Sequence, residues 1–451
     1  MHDKDEVTII GAGLAGTLMS LLLAQRGRPV TLYERLPDMR RELIPAGRSI
    51  NLALAARGIA ALEQAGVITQ VLPLLIPMRG RVLHTADQAL TFVPYGQGEH
   101  EVIHSVSRPG LNRLLLDAAE AAGVQVRFRH TALDADLERG QLLIRDESTS
   151  KMHELPMRHV IAADGAGSAL RRTLMSEAGV TCTETLLEHG YKELTLPPAA
   201  DGSHRLHKNA LHIWPRGGFM LIALPNLDGS FTLTLFLPQQ GPESFASLQH
   251  SSDVENFFAR HFPDVSTLIP QLANDFFQHP TGVMGTVRCS RWTLDERLLL
   301  IGDAAHAMTP FHGQGMNCAF EDCRELDELL RSTNDWAKAL AAFDRDRHTH
   351  TDAIAEMALE NYDEMRDTVR HPKFQLQKAL SLELERRFPD RFVPRYSMVM
   401  FHDEIPYRTA YERGAVQADM LQELTANANS LDEVDYGQAE RLIKERLTPV
   451  H

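Results

Sequence analysis

Short apolar runs alternate with helical patterns at the start of the chain. Val7–Ile10 is a four-residue run suited to a buried parallel strand, and the helical pattern Thr17–Gln25 follows a glycine-rich turn. A second predicted strand covers Pro29–Tyr33. Strands that alternate with helices in this way predict a βαβ unit and a parallel sheet. The fold class expected here is therefore α/β, with a Rossmann-like first domain.

The pattern changes twice further along the chain. Residues 211–238 alternate apolar and polar positions around the turn-like segment Asn226–Ser230, which predicts a hairpin and an antiparallel sheet in a second, inserted domain. From about residue 341 helix formers dominate and glycines are few, which predicts a helical region to the end. The predicted division is a discontinuous first domain (1–75, 100–180 and 285–340), a second domain (76–99 and 181–284) and a C-terminal helical region (341–451).

The first turn carries G-x-G-x-x-G in the sequence Gly11–Gly16, with Glu34 about 20 residues further on. In such a unit Gly11 makes the tight turn, Gly13 admits a pyrophosphate to the backbone, and Gly16 permits close helix–strand packing. The helix N-terminus offers free N–H groups to phosphates. The alternative is a plain glycine-rich turn. The candidate dinucleotide-binding residues are Gly11, Gly13, Leu14, Ala15, Gly16, Glu34 and Arg35.

Two later segments favour FAD over NAD(P) as the dinucleotide. Both place an aspartate after an apolar strand, Asp164 in "ADG" and Asp303 in "GDAAH". Such an aspartate can bond a ribityl chain, and the turn after Asp303 would bring backbone N–H groups and a helix N-terminus against a flavin ring. An ordinary β-to-α loop is the alternative. The candidate residues in this turn are Pro310, Gly313, Gln314, Gly315, Met316 and Asn317.

Composition and charge exclude several classes of protein. The chain has 46 lysines and arginines against 60 aspartates and glutamates, a net charge of −14, which argues against a nucleic-acid binder. Four cysteines without C-x-x-C spacing indicate reduced thiols. Because the chain shows neither a signal peptide nor a long apolar run, we expect a cytoplasmic protein without a membrane anchor. We expect no metal site, because no histidine or cysteine cluster has metal-ligand spacing.

With these three segments the chain resembles the para-hydroxybenzoate-hydroxylase-like, FAD-dependent aromatic monooxygenases. The segments "GRSINLAL", "NALHIWPRG", "PFHGQGMNCAFED" and "RFVPRYSMV" are similar to the kynurenine-hydroxylating members of that family. The resemblance implies FAD as cofactor, and NADPH and O2 as cosubstrates. It also implies hydroxylation of L-kynurenine to 3-hydroxy-L-kynurenine through a flavin C4a-hydroperoxide, in tryptophan degradation or NAD-precursor metabolism.

The resemblance also implies site residues. Around the amino-acid end of the substrate it places Arg81, Tyr95, Asn361 and Tyr407, and around the ring Leu211, Met220, Ile222, Phe236, Phe311, His312 and Met365. It places Arg48 and Arg108 near FAD. Taken singly, each residue also has an ordinary interpretation as a surface cation, a loop residue or a core residue.

Two alternative functions stay open at this point. The substrate could be another aminoaryl or phenolic acid, or the chain could be a flavin-binding redox sensor without turnover. A flavin-dependent halogenase is disfavoured, because Trp214, Trp292 and Trp336 form no W-x-W-x-I-P segment. The C-terminal region is expected to cover the active site. Its alternative role is dimerisation, so a homodimer stays open too.

Overall fold

A computed structural model describes residues 6–42, 51–87, 89–98, 100–333, 335–366 and 371–450. The strands are β1 Val7–Ile10, β2 Val30–Glu34, β3 Asn51–Leu54, β4 Leu75–Met78, β5 Gly80–His84, β6 Leu90–Pro94, β7 Ile103–Ser107, β8 Gln125–Phe128, β9 His130–Asp136, β10 Gln141–Asp146, β11 Met152–Pro156, β12 Val160–Ala162, β13 Cys182–Leu196, β14 Leu211–Pro215, β15 Met220–Pro225, β16 Phe231–Pro238, β17 Gly282–Cys289, β18 Thr293–Leu294 and β19 Leu298–Leu300.

The helices are α1 Leu14–Gln25, α2 Ala56–Gln64, α3 Ile68–Val71, α4 Arg108–Ala121, α5 Ala169–Glu177, α6 Ser251–His261, α7 Pro263–Ser266, α8 Leu272–Gln278, α9 Asp303–His306, α10 Gly315–Ser332, α11 Trp336–Arg366, α12 Pro372–Arg387, α13 Arg395–Phe401, α14 Tyr407–Thr425 and α15 Tyr436–Arg446. The chain forms two compact units. The first unit comprises Met1–Leu75, Val106–Leu186 and Met284–Ala355, and the second comprises Ile76–Ser105, Leu187–Val283 and Glu356–His451.

The first unit is built on a six-stranded sheet in the order β18-β19-β12-β1-β2-β8. Neighbouring strands from β19 to β8 are parallel, and only the edge strand β18 is antiparallel. Val7, Ile9 and Leu32 are fully or almost fully buried, as expected for parallel strands covered on both faces. Helix α1 packs against α4 and α10. The predicted Rossmann-like α/β fold is confirmed.

A network of buried charges crosses the core of the first unit. Arg57 and Arg347 both bind Glu321, at 2.6 and 2.7 Å, and Arg347 also binds Asp322 at 2.9 Å. Asp322 in turn accepts hydrogen bonds from the His306 ring at 2.6 Å and from the backbone N–H at the turn before α9. Burial alone would raise the pKa of Asp322, but these positive partners lower it to about 2. The network therefore ties helices α2, α9, α10 and α11 together inside this unit.

The second unit contains most of a mixed sheet in the order β17-β13-β16-β15-β14-β5-β6. The antiparallel hairpin strands β14, β15 and β16 agree with the prediction. The sheet is not purely antiparallel, because β5 pairs with β14 in parallel. Helices α6 and α8 cover one face of the sheet, where Trp214 and Leu221 join the aromatic residues of the helices in one core cluster.

The described residues after Glu356 are mostly helical, and α12, α14 and α15 share a cluster around Leu380, Met420 and Ile443. The predicted C-terminal helical region is thus confirmed. Within the described residues, no helix is long and apolar enough to cross a membrane.

The expectation of four reduced thiols is wrong for one pair. Cys182 and Cys289 form a disulfide, with Cα atoms 4.0 Å apart and a sequence separation of 107 residues. The pair forms because β13 and β17 are neighbours in the sheet, which spacing along the chain does not reveal. Cys318 and Cys323 are free and buried.

We predict that Asp322→Asn lowers the free energy of unfolding by about 3 kcal/mol, because it leaves Arg347 as a buried cation with one partner fewer. The measurement is urea unfolding. Asp335→Asn, which changes an exposed ion pair, is the control, and we expect it to lower the free energy of unfolding by less than about 1 kcal/mol. Because the folded pKa of Asp322 lies below its ordinary 3.8, its contribution is complete above about pH 4 and is lost as the pH falls towards 2. Equal losses for the two variants would contradict a role for the network.

Candidate functional site

The glycine turn of the first unit is shaped by steric limits at two positions. Gly11 has φ +99°, and a Cβ there would lie 2.5 Å from the carbonyl oxygen of Ala163. A Cβ on Gly16 would overlap the carbonyl oxygen of Gly11. Gly13, by contrast, precedes α1 with φ −71°, and a Cβ there would meet no protein atom within 4 Å. Gly11 and Gly16 are therefore required by packing, whereas the space at Gly13 is open.

Glu34 ends β2 beside this turn. Its Oε2 accepts a hydrogen bond from the backbone N–H of Ala12 at 2.7 Å, and its Oε1 accepts one from Leu36 at 2.9 Å. The carboxylate thus lies next to the glycine turn, where the motif places the ribose of a dinucleotide. Arg35 is exposed.

Asp164 follows β12 and is largely enclosed. One carboxylate oxygen accepts a hydrogen bond from the N–H of Ala169 at 2.8 Å, but Oδ1 is buried without a partner in the described residues. Burial raises the pKa of this carboxyl. A buried acceptor without a donor is rare, because it costs free energy, and a ligand hydroxyl or N–H would remove that cost. The position therefore fits a bound dinucleotide.

Asp303 begins α9 directly after the β19 strand and is exposed. The preceding Gly302 has φ +57°, a conformation that favours glycine. The carboxylate of Asp303 has no hydrogen bond or ion pair among the residues that the structure describes. It is therefore available at the carboxyl end of a parallel strand, where α/β sheets bind ligands.

The turn after Asp303 is held by the side chain of Asn317 on α10. Its Nδ2 donates to the carbonyls of Ala53 and Gly313, both at 2.9 Å, and its Oδ1 accepts from the N–H of Ala55 at 2.9 Å. Gly313 is left-handed, with φ +66°. The amide of Asn317 is thus used to position backbone, and α10 begins beside this turn at Gly315.

The other predicted cofactor residues occupy varied environments. Arg108 is half-buried at the first position of α4, and Pro310 is exposed. Phe311, His312 and Gln314 are buried in the first unit. Arg48 lies outside the described residues. Leu14, Ala15 and Met316 lie in the first turns of α1 and α10.

In the second unit, Arg81 is enclosed by two aromatic rings. Its guanidinium carbon lies 4.7 Å from the ring centroid of Tyr396 and 5.5 Å from that of Tyr95, and the two rings stack at 5.7 Å. The carboxylate of Glu364 on α11 lies 3.8 Å from the guanidinium of Arg81. Arg81 is only 5% exposed, and its Nε is buried without a hydrogen-bond partner in the described residues. A buried donor of this kind suits a carboxylate ligand.

The charge state of this group is set by its surroundings. Burial opposes the charge of Arg81, but Tyr396, Tyr95 and Glu364 raise its pKa above the ordinary value, so the guanidinium stays positive. Burial raises the pKa of both phenols, so both tyrosines are neutral at neutral pH. We call Arg81, Tyr95, Glu364 and Tyr396 the Arg81 cluster.

Strand register puts the predicted ring-binding residues of the second unit on the same face as Arg81. Leu211 pairs with Arg81, and Met220 pairs with Phe236. Ile222 lies two residues from Met220 and so points the same way. This face is opposite to the one that packs against α6 and α8.

Among the C-terminal residues, the structure adds one that sequence reasoning missed. The ring against Arg81 is that of Tyr396 on α13, whereas Tyr407 is fully buried at the start of α14. Tyr396 lies in "RFVPRYSMV", a segment that already carried the resemblance, so a signal was present. Asn361 and Met365 are buried on α11 near Glu364, with the Asn361 amide 3.3 Å from the Met365 sulfur.

One group of side chains in the described residues has donor atoms close enough to hold a metal ion, namely His306, Cys318 and Asp322. Arg347 occupies the same aspartate at 2.9 Å, and burial raises the pKa of Cys318 well above its ordinary value. A guanidinium on one ligand and a protonated thiol as another disfavour a cation here. The group belongs to the buried charge network.

Comparisons with known proteins support a flavoprotein. The FAD binding domain family matches residues 4–358. Kynurenine 3-monooxygenase of Myxococcus xanthus (strain DK1622) is 48% identical over 99% of this chain and 96% of its own. The enzyme of that name from Stenotrophomonas maltophilia (strain K279a) is 48% identical over 99% of this chain and 98% of its own.

Two solved structures share the fold. The tetrameric form of 2-methyl-3-hydroxypyridine-5-carboxylic acid oxygenase has a TM-score of 0.66 at 21% identity, covering 84% of this chain and 97% of that chain. Pseudomonas aeruginosa PqsL in complex with 2-aminobenzoylacetate has a TM-score of 0.64 at 20% identity, covering 81% of this chain and 97% of that chain.

We predict that Gly13→Ala lowers FAD affinity at least tenfold while the protein folds normally, because the added methyl group meets only the space left for a pyrophosphate. The measurement is FAD content after purification, followed by titration of the apoprotein with FAD. Gly218→Ala, which also meets no protein atom within 4 Å, is the matched control and should keep full FAD content. Normal FAD affinity of Gly13→Ala would place the pyrophosphate elsewhere.

Proposed function

Since the chain belongs to the FAD-binding-domain family of flavoproteins, we propose that it hydroxylates L-kynurenine to 3-hydroxy-L-kynurenine, with FAD as cofactor and NADPH and O2 as cosubstrates. The two relatives at 48% identity support this substrate, because their similarity covers nearly the whole chain. The observation that carries the proposal is the buried guanidinium of Arg81, whose Nε has no partner in the described residues. It suits the carboxylate of an amino acid.

Several residues of the first unit are proposed to hold FAD. The open backbone at Gly13 and the N-terminus of α1 would bind the pyrophosphate, and Glu34 would bind a ribose. Asp303 and the buried oxygen of Asp164 would accept hydrogen bonds from hydroxyl or N–H groups of the cofactor. The N-terminus of α10 would stabilise negative charge on the reduced ring. When bound, FAD would supply the redox chemistry by which two electrons from NADPH reduce O2, so that one oxygen atom enters the substrate and the other leaves as water.

The second unit is proposed to orient the substrate. Arg81 would hold the carboxylate, with hydrogen bonds from the phenols of Tyr95 and Tyr396, and Glu364 would attract the ammonium group. Met220 and Phe236 would contact the aromatic ring through the apolar face of the sheet. Fixing both ends of the substrate removes rotational freedom before the reaction and excludes water from the reacting centre.

The substrate itself explains why no catalytic base is needed to activate its ring. The amino group of an aniline donates electrons to the ortho carbon, which makes that carbon nucleophilic without loss of a proton from the substituent. Binding and orientation are therefore the main tasks of the side chains. We assign FAD binding to the first unit and substrate binding to the second, with its C-terminal helices completing the Arg81 cluster. We propose a cytoplasmic location.

The function is tested by following NADPH oxidation with and without L-kynurenine. We expect L-kynurenine to stimulate NADPH consumption and to yield a product that has gained one oxygen atom, measured by mass spectrometry. Stimulation by another aminoaryl or phenolic acid, with none by L-kynurenine, would overturn the substrate assignment. NADPH oxidation that no aromatic acid stimulates would favour a redox sensor.

We predict that Tyr396→Phe raises the KM for L-kynurenine about tenfold with little change in FAD content, since it removes one hydroxyl beside the carboxylate-binding guanidinium. Tyr407→Phe is the matched control, and we expect it to change KM less. A larger KM increase for Tyr407→Phe would restore the assignment made from sequence.

A further inference from the structure

Lys378 on α12 adds a second cation to the Arg81 cluster. Its ammonium nitrogen lies 5.7 Å from the ring centroid of Tyr396, the ring that also contacts Arg81. The charges of Arg81 and Glu364 both act on it. Neither sequence periodicity nor the family resemblance pointed to this lysine, because α12 reads as an ordinary helix rich in lysine, glutamate and leucine.

The cluster carries more positive than negative charge. Arg81 and Lys378 are cations, Glu364 is the carboxylate that acts on both, and the two phenols are neutral. In the described parts of the chain, the ammonium of Lys378 has no hydrogen-bond acceptor and no ion pair. Lys378 is half-buried, and an ammonium without an acceptor in such a place is destabilised by a neighbouring guanidinium. A ligand carboxylate between the two cations would remove this cost.

We propose that Lys378 is a substrate-binding residue that holds the second oxygen of the substrate carboxylate, opposite Arg81. This inference rests on the proposed function, because it takes an α-amino acid as the ligand. Lys378 would then contribute to specificity: an aromatic amine without a carboxylate would leave two neighbouring cations unpaired. Neutral arylamines would be rejected for the same reason.

A pH dependence follows from this arrangement. Burial, and to a lesser extent Arg81, lowers the pKa of Lys378 to about 8, while Glu364 opposes the shift. The charged and titratable groups around Lys378 are Arg81, Glu364 and Tyr396, and Tyr95 stacks on the Tyr396 ring. Arg81 keeps its charge and both phenols stay neutral in this range. Affinity for the carboxylate should thus be constant below pH 8 and fall as Lys378 loses its proton above it.

The test compares Lys378→Gln and Lys378→Arg in the FAD-loaded, full-length protein. Removing a charge-assisted hydrogen bond to a carboxylate should raise the KM and Kd for L-kynurenine about tenfold or more, with little change in kcat. Lys378→Arg should restore affinity and abolish the rise of KM above pH 8, because a guanidinium stays charged there. The kynurenine analogue that lacks the carboxylate should bind equally to the wild type and Lys378→Gln.

Lys373→Gln is the matched control, because it removes the same charge from the same helix where the ammonium binds the backbone carbonyls of Thr425 and Ala428. An unchanged KM in Lys378→Gln, or equal losses for kynurenine and its carboxylate-free analogue, would overturn the proposal.

Kd is measured by titration calorimetry, independently of turnover. If the wild type binds L-kynurenine but does not hydroxylate it, the proposed function is refuted, and the Kd values of the variants still test the role of Lys378. No binding of L-kynurenine to the wild type would overturn both.

Discussion

The cost of burying charge is the constraint on which both units depend. A buried ion must find a counter-charge and hydrogen bonds, or it destabilises the fold by several kcal/mol. In the first unit the requirement is met internally: Glu321 and Asp322 bind Arg57, Arg347 and His306 within 3 Å. This network joins helices α2, α9, α10 and α11. It includes His306 and Asp322, two of the three side chains whose donor atoms are close enough to hold a metal ion.

In the second unit the same requirement is met only in part. Arg81 has aromatic rings on its faces and Glu364 at 3.8 Å, but its Nε has no partner in the described residues. Lys378 adds a further positive charge next to it. Among the predicted site residues, an enclosed charge that lacks a full set of partners is therefore where we propose that a ligand group binds, and at Arg81 that group is a carboxylate. Asp164 in the first unit follows the same rule, but its Oδ1 without a partner is an acceptor, so the ligand group expected there is a donor.

The cofactor turn shows how far local signals carry. Gly16 is required by its contact with the carbonyl of Gly11, inside one strand–turn–helix unit, and φ +99° favours glycine at position 11, so the spacing of glycines is enough to predict both, although the Cβ that Gly11 avoids would also meet the distant Ala163. The aspartate after β19 is equally local. Asn317 is different, because its amide binds the backbone at Ala53 and Ala55, far away in the chain. Sequence reasoning placed it near the cofactor, but only the folded structure shows that it positions the turn.

The sequence by itself determined the α/β class, the glycine turn, the hairpin sheet and the helical C-terminal region, and through family resemblance it predicted Arg81 and Tyr95 as substrate-binding residues. These features depend on backbone sterics, hydrophobic periodicity and short motifs, all of which act over a few residues. Only the tertiary structure decided that Tyr396, Glu364 and Lys378 surround Arg81, that β5 joins the sheet in parallel, and that Cys182 pairs with Cys289. Those outcomes depend on which distant segments pack together, and that is set by the burial of whole faces and not by any local pattern.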